Sequence, residues 1–151
     1  MFLKVEGVTG ESSDADHKGE IDVVSWSWGL QASLDASTGQ ASGRRRLSEL
    51  QIVKRVDRSS PTLMDFVKTN KPVKNVTLTV RKAGKTPLKY FTIELKDARV
   101  TSVKTESVDA ELVERVSLGF VEITVTYIQQ DSTGAKGGGD ITFVDNAVTV
   151  T

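Results

Sequence analysis

The residues best suited to bind a metal ion stand close together near the N-terminus. His17, the only histidine of the chain, lies in a polar stretch that also contains Glu11, Asp14 and Asp16. Their spacing does not match the acidic loop that binds Ca²⁺, and a zinc site normally uses more than one histidine or cysteine. We therefore predict no metal site here and expect residues 10–19 to form an ordinary solvated loop.

A second short motif imitates a nucleotide-binding loop. Ala83-Gly84-Lys85-Thr86 has the tail of a P-loop, but the full motif needs a glycine where Thr79 stands and should lead into a helix. The chain also has no cysteine, no G-x-S-x-G turn and no dinucleotide fingerprint. We predict a protein that is not an enzyme, with no catalytic residue and no cofactor. A hydrolase with dispersed acidic residues is an alternative, which would need a cleft where carboxyl pKa values are raised.

Charge and length exclude several further classes of protein. Of the 151 residues, 20 are Lys or Arg and 20 are Asp or Glu, so no net field attracts nucleic acid or an anionic membrane. No stretch approaches the roughly 20 apolar residues of a membrane span, and the N-terminus lacks the apolar region of a cleaved signal peptide. The length suits one domain, residues 1–151. A binding or assembly protein is the leading class.

The chain is organised around residues 20–30, which contain both tryptophans. In an extended strand alternate side chains point to opposite sides, so Trp26 and Trp28 share one side while Ser25 and Ser27 share the other. We predict that the two indoles anchor the core and that the hydroxyl side meets water or a partner. A small ligand- or carbohydrate-binding β-barrel, in which the indoles stack on a ligand, is an alternative.

Residues 31–46 follow this stretch and contain almost no large apolar side chain. Such a segment cannot bury enough surface to fold alone, and long loops in compact domains are commonly functional or mobile. We predict a protruding loop that docks on a neighbouring subunit, with a solvated basic loop as the alternative. The candidate contact residues are Ser33, Asp35, Arg44, Arg45 and Arg46.

One short helix is predicted, from about Pro61 to Thr69. Ser60 would provide the N-cap hydroxyl, and Asn70 followed by Pro72 would end the segment. At about ten residues the helix is marginal in isolation, so burial of its apolar side must stabilise it. The residues expected in the core, with Phe66 as an anchor, are Leu63, Met64, Phe66 and Val67.

Alternating apolar and polar residues predict β-strands in most of the remaining chain. The buried side changes at Gly119, which indicates a bulge or a bend. Residues 131–139 are predicted as a glycine-rich linker, and residues 141–150 as a final strand or extended tail. So many strands around one helix favour a curled or closed sheet.

Several of these segments together resemble the hemolysin-coregulated protein (Hcp) family, which forms the inner tube of the bacterial type VI secretion system. The resemblance covers most of the chain, although residues 143–146 lack the tryptophan of the family pattern. The matching residues are Gly10-Glu11-Ser12, His17, Glu20-Ile21, the SWSWG sequence at 25–29, Val56-Asp57, Ser59-Ser60-Pro61, Leu63, Arg81-Lys82-Ala83-Gly84 and the segment 118–127.

The resemblance implies a mainly β, barrel-like pair of antiparallel sheets with one short α-helix, assembled as a homohexameric ring. Rings of this family stack into a hollow tube that a contractile sheath propels outward, and members bind small effectors inside the ring. The implied partners are further copies of the chain, secreted effectors, and the sheath and spike or baseplate proteins. Export would move the protein from the cytoplasm to the medium or a target cell without a cleaved signal. A tail-tube subunit of a related contractile injection system is the alternative.

A sheet that faces a wide channel should present small, polar side chains, so that cargo moves past without binding tightly. Ser25 and Ser27 meet this requirement, and we predict that they line the lumen and contact effectors. Residues 31–46 would reach an adjacent ring or subunit through weak, salt-sensitive contacts.

Overall fold

The computed structural model describes residues 1–34, 36–82, 88–130 and 136–147, with the backbone alone at 41–44 and 136. These residues form eleven strands and one helix. In chain order they are β1 (Phe2–Val5), β2 (Ile21–Asp22), β3 (Ser25–Ser27), β4 (Leu30–Leu34), β5 (Ala41–Leu47), β6 (Leu50–Arg55), α1 (Ser60–Thr69), β7 (Val73–Arg81), β8 (Lys89–Val108), β9 (Glu111–Gly119), β10 (Glu122–Gln130) and β11 (Lys136–Asn146).

Nine of these strands form one antiparallel sheet that bends into two layers, which we call sheet I and sheet II. Sheet I has the order β2-β1-β7-β8-β10-β11, and sheet II has the order β8-β9-β6-β3. The long strand β8 belongs to both, because residues 89–98 pair within sheet I and residues 99–108 pair with β9. Strands β4 and β5 form a separate hairpin. The predicted mainly β fold with antiparallel sheets and one short helix is confirmed, although the described strands do not close into a barrel.

The core lies between the two sheets. Leu78 and Ile93 face it as a pair from sheet I, and Leu50 faces it from sheet II opposite Leu118. All four side chains are fully buried. Burying one such side chain contributes about 1.5–3 kcal/mol, so this alternating set supplies much of the stability.

The chain turns between the layers at two places. In β8 the backbone of Asp97 has a positive φ of 50°, and a register shift follows between Val100 and Ser102. The second turn lies after Gly119, where β9 ends in sheet II and β10 begins in sheet I. The bend predicted at Gly119 is therefore confirmed.

The helix matches its predicted range, but two details differ. Ser59, not Ser60, occupies the N-cap and makes no side-chain cap, because its hydroxyl instead donates to the Asp57 carboxylate. The Ser60 hydroxyl accepts a hydrogen bond from the backbone N–H of Asp57. Leu63 and Phe66 are buried, whereas Met64 and Val67 are exposed, since only one side of α1 faces the core. The prediction that Met64 and Val67 belong to the core is wrong.

Three predicted segments have a different structure. Residues 20–30 are not one strand, because the chain passes from β2 in sheet I to β3 in sheet II and then into β4, which leaves Val24 and Leu30 half-exposed. Residues 31–46 are not a loop. They belong to the β4–β5 hairpin, in which Leu30 pairs with Leu47 and Ala32 with Arg45. Residues 136–139 lie in β11, outside any linker.

Candidate functional site

Ser25 and Ser27 lie on the side of sheet II that faces away from the core. Ser25 pairs with Val53 of β6, Ser27 pairs with Gln51, and both serines are exposed. Trp26 points the opposite way and packs against the core. The two serines are therefore part of a continuous side that extends over four strands. This outward face of sheet II consists of Ser25, Ser27, Gln51, Val53, Arg55, Ser102, Lys104, Glu106, Val108, Glu111, Val113, Arg115 and Ser117.

One row across this outward face is uncharged and polar. Ser27 pairs with Gln51, Gln51 with Ser117, and Ser117 with Ser102, so the row crosses all four strands. The Ser117 hydroxyl donates a hydrogen bond to Oε1 of Gln51 at 2.7 Å. This row of three serines and one glutamine presents hydroxyl and amide groups, which water can hydrate.

The neighbouring rows of the outward face carry charge. Nε of Arg115 donates a hydrogen bond to Oε1 of Glu106 at 2.6 Å, and Nζ of Lys104 lies 4.0 Å from the other oxygen. The hydrogen bond from Arg115, assisted by the charges of Arg115 and Lys104, lowers the pKa of Glu106. Glu106 is therefore ionised at neutral pH, and the face changes along its strands from hydroxyl and amide groups to ion pairs.

Both tryptophans lie on the core side of sheet II and contact other aromatic rings. Trp26 stacks on Phe91 with ring centroids 5.5 Å apart, and Trp28 meets Phe143 of β11 at 6.4 Å. Nε1 of Trp28 is buried without a hydrogen-bond partner. Because both rings are partly buried among core residues, the geometry does not favour a site where they stack on a ligand.

The basic end of the β4–β5 hairpin is tied to the C-terminal strand of the same chain. Nε and Nη2 of Arg45 donate to the two carboxylate oxygens of Asp145 at 2.6 and 2.5 Å. These hydrogen bonds lower the pKa of Asp145. The structure therefore gives Arg45 an intramolecular partner, a contact that the sequence did not indicate.

The other candidate residues of this hairpin have different surroundings. Ser33 is half-buried in β4, and Arg46 is exposed at the base of β5. Arg44 belongs to β5, but its side chain lies outside the described part, and so does all of Asp35.

A buried ion pair lies beneath the outward face of sheet II. Nζ of Lys54 is 2.8 Å from Oε1 of Glu114, and neither side chain is exposed. Lys54 also donates to the Ser60 hydroxyl at 3.1 Å and lies 3.1 Å from the Asp57 carboxylate, while Thr105 of β8 donates to Glu114. The sequence could have indicated that Lys54 faces the core, because it alternates in phase with Leu50 and Ile52.

Residues 10–19 form a loop, as predicted, in which Glu11, Ser13, Ala15, Asp16 and Lys18 are exposed, but other residues of the loop are packed against the sheet. The ring of His17 stacks on Phe2 with centroids 4.4 Å apart, and Nδ1 lies 3.0 Å from the Glu20 carboxylate. The Arg81 guanidinium lies over the Phe2 ring and donates to Asp14, which lowers the pKa of that carboxyl group. Aromatic stacking and ion pairs thus hold the loop against β1 and β7.

Among the described residues no cluster of three or more His, Cys, Asp or Glu side chains is placed to hold a metal ion. In the same part of the chain, no helix has the length and apolar character needed to cross a membrane. The imitation of a P-loop at residues 83–86 lies outside the described residues.

Solved structures of type VI secretion proteins share this fold. A type VI secretion system effector from Yersinia pestis has a TM-score of 0.79 and 29% identity, with 96% of this chain and 98% of that chain covered. Hcp1 from Salmonella typhimurium has the same TM-score and identity, with 99% of this chain and 95% of that chain covered. The bent double sheet with one helix is thus the fold of a type VI secretion protein.

Sequence comparison leads to the family itself. The family model described as "Type VI secretion system effector, Hcp" matches residues 2–127. Protein hcp1 of Pseudomonas aeruginosa is 38% identical over 148 residues, which cover 95% of this chain and 91% of that protein. The chain belongs to the Hcp family of type VI secretion proteins. The predicted resemblance and the prediction of a secreted tube protein are confirmed, and the alternatives of a tail-tube subunit from a related injection system and of a ligand-binding β-barrel are not favoured.

Proposed function

We propose that six copies of this chain form a ring in which the outward face of sheet II lines a central channel, and that rings stack into a tube. The observation that carries the proposal is the polar row that runs from Ser27 through Gln51 and Ser117 to Ser102 across all four strands. A channel wall must stay wet so that cargo can move past it, and a row of hydroxyl and amide groups serves that purpose.

The dimensions of sheet II suit a wide channel. Six copies of a four-stranded sheet supply 24 strands, and neighbouring strands lie about 4.8 Å apart, which gives a circumference of about 115 Å. The corresponding diameter is about 37 Å, and strand tilt increases it. Such a channel is wide enough for a small folded protein.

Effectors carried in this channel would contact Ser25 and Ser27 together with the ion pairs beside them. Arg55, Lys104 and Arg115 on the outward face lie beside Glu106 and Glu111, so positive side chains outnumber negative ones by one in each subunit. We expect salt to weaken the contacts that effectors make with these charged groups.

The remaining partners follow from the place of the subunit in the type VI apparatus. The opposite side of the subunit, the outer side of sheet I, would face the contractile sheath, and the end of the tube would meet the spike and baseplate. The protein would assemble in the cytoplasm and leave without a cleaved signal, as part of the expelled tube.

Electron microscopy of the purified full chain tests this function. Negatively stained particles should be six-fold rings with an open centre, and light scattering should give a mass six times that of the 16.4 kDa chain. A homogeneous monomer at every concentration up to the solubility limit would contradict the proposal.

A further inference from the structure

A row of four threonines crosses the outer side of sheet I, away from the core and from the proposed channel. Thr79 of β7 pairs with Thr92 of β8, Thr92 pairs with Thr126 of β10, and Thr126 pairs with Thr142 of β11. Residues that alternate with them, such as Ile93, face the core. The row therefore places four hydroxyl groups on the side of the sheet opposite the core.

Two threonines of this row are buried, although side chains on the outer side of a sheet are normally exposed. Thr79 is 5% exposed and Thr92 is 8% exposed. Neither hydroxyl group has a hydrogen-bond partner among the residues that the structure describes. A buried hydroxyl group without a partner is unfavourable, so both groups are suited to a ligand that supplies one.

The two buried threonines line a recess of about 360 Å³ on the outer side of sheet I. Thr126 of the same row also lines it, and Leu88 and Ile128 provide its apolar surface. The volume lies at the lower end of the range for small-molecule sites, which combine apolar surface with a few polar groups. The recess is therefore large enough for a compact ligand and offers it hydroxyl groups that no neighbour uses.

The recess also has one charged group of each sign that no described residue pairs with. Lys89 and Glu94 both line it, both are exposed, and neither forms an ion pair or a hydrogen bond in the described part of the chain. Asp140, the third charged residue of the lining, already has an interaction of its own. The Cα atoms of residues 89 and 94 are about 16 Å apart in an extended strand, so the two side chains can approach a ligand from opposite ends.

We infer that this recess binds a short zwitterionic peptide, with its ammonium group at Glu94, its carboxylate at Lys89 and its peptide bond at the hydroxyl groups of Thr79 and Thr92. A hydroxyl group both donates and accepts hydrogen bonds, so it matches the N–H and C=O groups of a peptide bond. A free amino acid has both charges on one carbon, whereas a dipeptide separates them by about 6 Å, which suits two charged residues at opposite ends. The site lies within one chain and does not rest on the proposed ring.

Titration of the full-length protein with the dipeptide Ala-Ala tests the inference, with saturation-transfer NMR of the ligand as the measurement. N-acetyl-Ala-Ala lacks the ammonium group and Ala-Ala amide lacks the carboxylate, so each should bind about tenfold more weakly than Ala-Ala. Free alanine should also bind more weakly, because it cannot reach both charged residues. Absence of Ala-Ala binding at about 20 mM, or equal binding of all four compounds, overturns the inference.

Substitutions connect the binding to the residues of the recess. Glu94→Gln, at an exposed position that should not affect folding, should weaken Ala-Ala binding about tenfold but leave N-acetyl-Ala-Ala binding unchanged, because that compound has no ammonium group. Thr92→Val replaces a hydroxyl with a methyl group and should weaken both compounds. Thr124→Val is the matched control, because Thr124 lies on the same side of β10 as Thr126 but outside the recess.

Circular dichroism of each variant confirms that the fold is unchanged. Unchanged Ala-Ala binding in Glu94→Gln or in a folded Thr92→Val overturns the inference, as does an equal loss in Thr124→Val. Loss of binding confined to the two recess variants supports it. Whether the unmodified chain forms rings is a separate result, which bears on the proposed function alone.

Discussion

Lys54 and Glu114 face each other across β6 and β9 with their charged atoms 2.8 Å apart and no exposed surface on either side chain. The pair joins the two central strands of sheet II, and its hydrogen bond to Ser60 connects them to the start of α1. A shift of β6 by two residues would keep apolar groups in the core but would separate the two charges. We therefore interpret the pair as the feature that fixes the strand register.

Removing one partner of this pair should be far more damaging than removing both. Lys54→Met leaves the buried Glu114 carboxylate with the Thr105 hydroxyl but without its cation, and should lower the free energy of unfolding by about 3–5 kcal/mol. The double variant Lys54→Met with Glu114→Leu removes both charges and should lose much less. Urea unfolding monitored by tryptophan fluorescence gives both values, and equal losses in the single and double variants would contradict this account.

The contact between Arg45 and Asp145 should make the attachment of the β4–β5 hairpin depend on pH. Because the pKa of Asp145 is lowered in the folded state, the contact is fully formed above the ordinary aspartate pKa of about 3.9 and is lost as the pH falls through the lower folded value. Hydrogen exchange at the backbone amides of β5 should therefore rise in that acidic range. In Asp145→Asn the same amides should exchange faster already at neutral pH, with no comparable acidic step.

Trp28 should tolerate loss of its N–H group better than loss of its ring. The buried Nε1 has no partner, so Trp28→Phe removes an unsatisfied donor whose burial costs about 1–3 kcal/mol, and this gain offsets part of the lost packing. We expect a net loss of about 1 kcal/mol or less, and a clearly larger loss in Trp28→Ala. Thermal unfolding of the two variants measures the difference, and equal losses would argue against an unsatisfied indole.

The turn between β8 and β9 contains a backbone strain that one substitution should relieve. Asp109 and Ala110 have φ values of 50° and 66°, and a two-residue turn with both values positive favours glycine at its second position. Ala110→Gly should stabilise the fold by about 1 kcal/mol, whereas Ala110→Val should destabilise it. Calorimetric melting temperatures of the two variants should move in opposite directions.

The position of Ser27 in the proposed channel can be tested by labelling, because the chain has no cysteine of its own. In assembled tubes Ser27→Cys should react with a small maleimide but not with a maleimide attached to a protein wider than the channel. Lys4→Cys, at an exposed position of β1 on sheet I, should react with both reagents. Equal reaction of the two variants with the large reagent would place Ser27 outside the channel.

The alternation of apolar and polar residues predicted those strands in which one side faces the core along the whole strand. Strand β6 is such a case, as Leu50 and Ile52 alternate with polar residues and face the core. Alternation failed at residues 20–34, because it reports which residues share a side but not the change of partner strand that divides β2, β3 and β4. The Ser- and Gly-rich hairpin had too few apolar residues to be recognised as two strands.

The outward face of sheet II could be predicted only in part from the sequence. Ser25 and Ser27 were found because they alternate with the tryptophans, but Ser102 and Ser117 join them through pairings between distant segments. Such pairings depend on register, which local patterns do not determine. For the same reason the partnership of Arg45 with Asp145, 100 residues apart, had no local signal.

The continuity of β8 through both layers has a mechanical consequence for a tube. Residues 89–98 belong to the layer proposed to face the sheath, and residues 99–108 belong to the layer proposed to line the channel. A force on the outer layer, sheet I, therefore passes to the channel layer, sheet II, through one covalent backbone. It does not rely only on side-chain contacts that could slide past each other. During ejection, each subunit would move as one rigid body, and shear would concentrate at the interfaces between subunits.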